Sequence, residues 1–164
     1  MREHSSASTP RLAVVVSRFN EEIVAGLLEG ALQVLAEAGL ERNQVPVIEV
    51  PGALELPVVA AELVRRGGYD GLIALGCVIR GQTSHHEHVG RESVGGLVRI
   101  AVETGTPIGI GVLTVEDRAQ ALIRAGLEPD PGGAKEGERH RGREAARACL
   151  ETVAILRELR AGRS

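Results

Sequence analysis

The chain is nearly devoid of aromatic rings: Phe19 and Tyr69 are the only two, and there is no tryptophan among 164 residues. Its core must therefore be aliphatic, built from Val, Leu, Ile and Ala. Such a core does not need Phe19, so the position of that ring asks for another use. Cysteine is equally sparse. Cys77 sits in a strand-like run and Cys149 in a helical pattern, too far apart in sequence to suggest a disulfide framework, and reduced buried thiols are expected. No stretch approaches the roughly 20 consecutive apolar residues of a membrane span. The opening MREHSSASTP has no apolar segment of the kind a secretory signal needs. Residues 1–11 are expected to be a disordered tail, residues 12–164 a single domain, and the protein cytoplasmic. Charge of one sign is also missing: 19 basic against 22 acidic side chains leave a net charge of −3, with no footprint for nucleic acid. There is no P-loop, no Gly-x-Gly-x-x-Gly after a strand and no Gly-x-Ser-x-Gly elbow, which removes support for nucleotide-hydrolase, dinucleotide and serine-hydrolase functions.

What is present is a repeating strand–helix pattern. Leu12–Val16 is a continuous apolar, β-branched run, as expected for a strand buried on both faces of a parallel sheet. Asn20 is expected to cap a helix whose first turn carries Glu21 and Glu22 and whose apolar face is Ile23, Leu27, Ala31, Val34, Leu35 and Ala38. A second strand is predicted over Val45–Val50, followed by a loop with Glu55 and a helix carrying Leu56, Val59, Ala60 and Leu63. The third strand runs from Gly71 to Ile79 and empties into a polar loop, with a helix around Val94, Leu97, Val98 and Ala101. Pro107–Leu113 reads as the fourth strand. Thr114 and Asp117 resemble a capping box for a helix containing Val115, Ala119 and Leu122, which Gly126 ends. A Pro/Gly-rich loop leads to a last helix with Ala145, Cys149, Val153 and Leu156 on one side. Four β-α units and an extra C-terminal helix predict a three-layer α/β/α sandwich around a four-stranded parallel sheet, flavodoxin-like in class.

Ligands of such folds bind at the carboxyl ends of the strands. The densest chemistry lies at one of those ends, in GCVIRGQTSHHEHV, Gly76 to Val89. His85, His86 and His88 admit three readings: a metal site that lacks a third strong ligand, a solvated polar loop, or acid–base catalysis by one imidazole. Gln82, Thr83 and Ser84 precede them as candidate anion ligands at a helix start. Phe19 follows the first strand directly, either plugging a junction or stacking a flat heterocycle. Glu55 follows the second strand, as a solvated carboxylate or a hydroxyl acceptor. Arg124 stands in the last turn of its helix, either satisfying the helix dipole or clamping a phosphate.

Taken together, VVVSRFNEEI, VPGALELP, GCVIRGQTSHHEHV and GVLTVEDRAQALIRAG, in this order and spacing, resemble 6,7-dimethyl-8-ribityllumazine synthases over about Leu12 to Leu159. The resemblance implies a Schiff-base condensation of 5-amino-6-(D-ribitylamino)uracil with 3,4-dihydroxy-2-butanone 4-phosphate in riboflavin biosynthesis, with no metal or redox cofactor. It assigns proton transfer to His85 and pyrimidine stacking to Phe19. Ala53, Leu54 and Glu55 would hold the ribityl chain and ring, while the backbone of Cys77, Val78 and Ile79 would read the uracil edge. Gln82 and Thr83 match the phosphate loop, Arg124 the phosphate-binding arginine, and Ile110 a ring contact. It further implies a closed homopentamer at minimum, each site shared between neighbouring chains, with riboflavin synthase as a pathway partner. In the family it resembles, extra length in the loop before the last helix goes with pentamers or decamers rather than a sixty-subunit shell, so the resemblance implies the smaller assembly.

The sequence departs from the family at several points. Leu54, His86, His88 and Ile110 stand where relatives often carry aromatics. The family's Asn-Lys-Gly before the last helix is His140-Arg141-Gly142 here, leaving Arg141 or Lys135 to carry the lysine's charge. Two alternatives share the fold: a non-catalytic lumazine- or flavin-binding assembly protein, and an archaeal-type riboflavin synthase. Retention of His85 and Arg124 speaks against the first, and the Gly-x-Thr-x-His pattern against the second.

Overall fold

The computed structural model describes residues 8–133 and 139–162. Residues 1–7 of the expected tail, and Lys135, lie outside the described residues.

Strand β1 (Leu12–Ser17) is buried along its whole length. Helix α1 (Glu21–Glu37) follows, then a 3-10 turn at Arg42–Gln44 and β2 (Val47–Val50). A second 3-10 turn, Ala53–Glu55, leads into α2 (Leu56–Arg66), with Pro57 at its permissive first turn. Then come β3 (Gly71–Ile79), α3 (His85–Thr104), β4 (Ile108–Val115), α4 (Arg118–Arg124) and α5 (Arg141–Arg160). The four strands are parallel in the order β2-β1-β3-β4. The predicted sandwich class is the observed one.

Alternation along the strands divides the core into two layers. Leu12, Val14 and Val16 of β1, with Ile73 and Leu75 of β3, pack against Ile23, Leu27, Ala121, Ala145 and Cys149 from α1, α4 and α5. Ala13, Val15, Leu72 and Ala74 face the other way, onto Leu56, Ala60 and Leu97 of α2 and α3. The outer layers are therefore α1, α4 and α5 on one side, α2 and α3 on the other.

Several local expectations are corrected. Asn20 precedes α1 but does not cap it with its side chain; its backbone is left-handed (φ 59°) and its amide is spent elsewhere. Val45 precedes β2 rather than opening it, because the 3-10 turn and Pro46 delay the ladder. Thr114 and Val115 extend β4, paired with Val78 and Ile79, so no capping box forms there. Asp117 is itself the N-cap of α4, its carboxylate accepting from the Gln120 amide at 2.8 Å. Finally, α3 begins at His85: the polar segment read as a loop is helical from its first histidine onward.

Candidate active site

The exits of β1, β2 and β3 converge on a cavity of about 400 Å³ on the α2/α3 side of the sheet. That volume lies in the range typical of small-molecule sites. Phe19 borders it and is 71% exposed, which a residue serving only the core would not be. From the β2 exit come Ala53, Leu54 and Glu55 on the 3-10 turn. From the β3 exit come Cys77, Val78 and Ile79. Thr83, His85 and His86 close the rim at the start of α3.

Local physics sets that rim. The first amides of a helix lack intrahelical partners, and Thr83 Oγ1 accepts from the His85 amide at 3.3 Å. Glu87 in the same turn complements the helix dipole. His86 turns inward, nearly buried, with Nδ1 3.3 Å from the Thr83 carbonyl, whereas His85 and His88 stay exposed. The three histidines thus do not converge. Among the described residues no group of three or more His, Cys, Asp or Glu side chains is placed to hold a metal ion.

Cys77 alternates into the α1/α5 core, so what it presents to the cavity is backbone. Burial pushes its thiol up to about 11, against a weaker opposing pull from Arg118, which makes it a poor nucleophile near neutrality. Asn20 is the residue that sequence reasoning misjudged. Its side-chain amide donates to the Cys77 carbonyl at 2.9 Å and ties the β1 exit, with Phe19, to the β3 exit. The signal was the Phe19-Asn20 pair itself: asparagine is among the few side chains that tolerate a left-handed backbone.

Arg124 does not join this cavity. It lies with Gln120, Thr114, Asp130, Arg139 and Arg141 around a separate, polar cavity of about 580 Å³, on the α4/α5 side of the β4 exit. Arg141 pairs with Glu144 at 2.9 Å and Arg139 with Asp130 at 3.1 Å. Gln82 is exposed and borders neither cavity; Ile110 is half-buried on β4 against the α2/α3 core and also borders neither. One chain therefore carries a cavity bordered by Phe19 on one face of the sheet and an arginine cavity on the other.

Comparison with known proteins gives this arrangement a family. A family model described as 6,7-dimethyl-8-ribityllumazine synthase matches residues 9–157. The chain is 49% identical over 147 residues to the 6,7-dimethyl-8-ribityllumazine synthase of Kineococcus radiotolerans, covering 90% of this chain and 85% of that one. It is 43% identical over 151 residues to 6,7-dimethyl-8-ribityllumazine synthase 1 of Caulobacter vibrioides, covering 92% and 93%. The enzyme of the same name from Nitratidesulfovibrio vulgaris (strain Miyazaki F) is 42% identical over 149 residues, covering 91% and 90%. With the match spanning nearly the whole domain and all four strand exits, the chain belongs to the 6,7-dimethyl-8-ribityllumazine synthase family.

Proposed function

We propose that this protein forms 6,7-dimethyl-8-ribityllumazine from 5-amino-6-(D-ribitylamino)uracil and 3,4-dihydroxy-2-butanone 4-phosphate. The observation that carries the reading is His85, exposed on the first turn of α3 at the rim of the cavity bordered by Phe19. The amine adds to the ketone and water leaves as the imine forms; phosphate is then eliminated, and ring closure expels a second water. Each step moves a proton, and imidazole suits proton transfer near neutral pH. The rest is positioning, since holding two reactants in register supplies much of the acceleration.

Phe19 stacks the pyrimidine, and the backbone of Cys77, Val78 and Ile79 reads its edge. Ala53, Leu54 and Glu55 hold the ribityl chain, with the Glu55 carboxylate accepting from hydroxyls. Gln82 and Thr83 meet the phosphate, opposite Arg124 and, beside it, Arg141. Ile110 contributes an apolar ring contact. Because Phe19 and Arg124 border cavities on opposite faces of the sheet, a complete site takes its ring wall from one chain and its arginine wall from the next. A closed ring of identical chains, a homopentamer or a decamer built from it, meets that requirement. The apolar side chains of Val58 and Val102, 67% and 78% exposed, give such a ring something to bury. We place the protein in the cytoplasm, with riboflavin synthase consuming its product.

The test is to mix both substrates and follow the fluorescent lumazine. The His85→Ala variant is expected to turn over roughly 10- to 1,000-fold more slowly. Arg124→Ala should chiefly raise KM for the phosphorylated substrate. Formation of lumazine no faster with the wild type than without protein would refute the assignment.

A further inference from the structure

His140 occupies an unusual place. Its ring lies between Gly30 on α1 and Gly126 just past α4: a Cβ added to Gly126 would come within 2.6 Å of the ring's Cδ2, and one added to Gly30 would overlap the ring. Its Nδ1 accepts from the Arg143 amide at 3.4 Å, making His140 the N-cap of α5. One side chain thus touches α1, the end of α4 and the start of α5. Arg124 stands two residues before Gly126, and Arg141 one residue after His140. Both arginines border the polar cavity at the β4 exit.

We infer that His140 is a positioning residue for that cavity: its neutral imidazole wedges the end of α4 against the first turn of α5, holding Arg124 and Arg141 in one arrangement, and it loosens that wedge on taking up a second proton. The inference rests on the proposed function, in which this cavity receives the substrate phosphate.

The chemistry follows from the cap. As an acceptor, Nδ1 must be bare, so the ring proton sits on Nε2. Protonating Nδ1 sets N–H against N–H at the Arg143 amide and adds a cation where the helix dipole is already positive. Among the described residues, charged and polar groups reach the ring's surroundings from several elements. On α5 these are Arg143 and Glu144; Arg143 is held by Gln33 at 2.7 Å and Glu37 at 3.2 Å from α1. On α1, Glu29 and Gln33 border the small cavity beside the ring. Of the described residues after α4, Ala125, Gly126 and Leu127 border that small cavity, and none of the three carries a charge. Arg139, preceding the ring, is paired with Asp130. Desolvation, then the Arg143 charge, holds the imidazole below its ordinary range despite the Gly26 backbone and Glu144. At neutral pH the cap is therefore intact.

The experiment measures KM for each substrate from pH 8 to pH 5.5 in wild type, His140→Asn and His140→Ala. Asparagine caps a helix without titrating. The phosphate monoester also titrates near pH 6, but identically for every variant, so the ratio of wild-type to Asn KM isolates the histidine. That ratio should stay near one at pH 8 and rise roughly 3- to 10-fold by pH 5.5, the order that losing a cap is worth. The ratio for the uracil substrate should not move. Alanine should raise the phosphate-substrate KM at every pH. A ratio flat within about twofold across the range overturns the inference and leaves the proposed function standing; no turnover by the wild type at pH 8 defeats both. Should the variants fold poorly, ring-nitrogen NMR on wild type with labelled histidine decides: a bare Nδ1 at pH 8 supports the wedge, and a proton on Nδ1 there overturns it.

Discussion

Replacing Asn20 separates two things that one side chain does. The amide bond to the Cys77 carbonyl, 2.9 Å and partly buried, ties the two strand exits that flank the Phe19 cavity. The left-handed backbone at φ 59° is a conformation that most residues resist. Deleting the hydrogen bond costs about 1 kcal/mol. An alanine forced into the left-handed region costs a further 1–2 kcal/mol or so. Asn20→Ala should therefore lose about 2–3 kcal/mol, lowering the melting midpoint by roughly 4–12 °C for a domain of this size. Asn20→Gly loses the same hydrogen bond but adopts the backbone freely, at an added cost of about 0.5–1 kcal/mol in unfolded-state entropy. It should fall between wild type and alanine. Far-UV circular dichroism during urea unfolding, at one fixed protein concentration, reads both. The reasoning is refuted if alanine lies within about 0.5 kcal/mol of wild type, which would mean neither effect operates. Glycine more damaging than alanine would show that the backbone conformation carries none of the cost.

Two further outcomes are expected. Burial pushes the Cys149 thiol up to about 12 and that of Cys77 up to about 11, so both should resist a thiol-specific reagent at pH 8 in the native protein and react promptly once it is unfolded; fast native labelling would contradict the described burial. Gly30→Ala should destabilise the fold by about 1–3 kcal/mol through overlap with the His140 ring, measured by the same urea titration, and His140→Ala in the same chain should recover part of the loss. Failure to recover would place the strain elsewhere.

The layered architecture was legible because strands buried on both faces leave continuous apolar runs, which the Leu12 and Gly71 segments do. Boundaries were less so. The His85 segment reads as a loop from its polarity, yet it is the first turn of α3, because Thr83 and the packing of Gly90 against Thr114 supply what helix propensity does not. Thr114 and Asp117 have capping-box spacing, but β3 still offers partners at Val78 and Ile79, and the ladder wins. Asn20 carries a capping residue's identity and uses it across 57 positions of sequence instead.

By itself, then, the sequence determined the fold class and the family to which the motifs at the strand exits belong. These are local properties: periodicity, turn residues and short motifs at fixed spacing. Which exits share a cavity is not local. Only the order β2-β1-β3-β4 brings Phe19, Glu55 and His85 together, and only the sidedness of α4 and α5 carries Arg124 and Arg141 to the opposite face. The same packing seats His140 between Gly30 and Gly126, a contact that spacing along the chain does not encode because it exists only once three elements have docked.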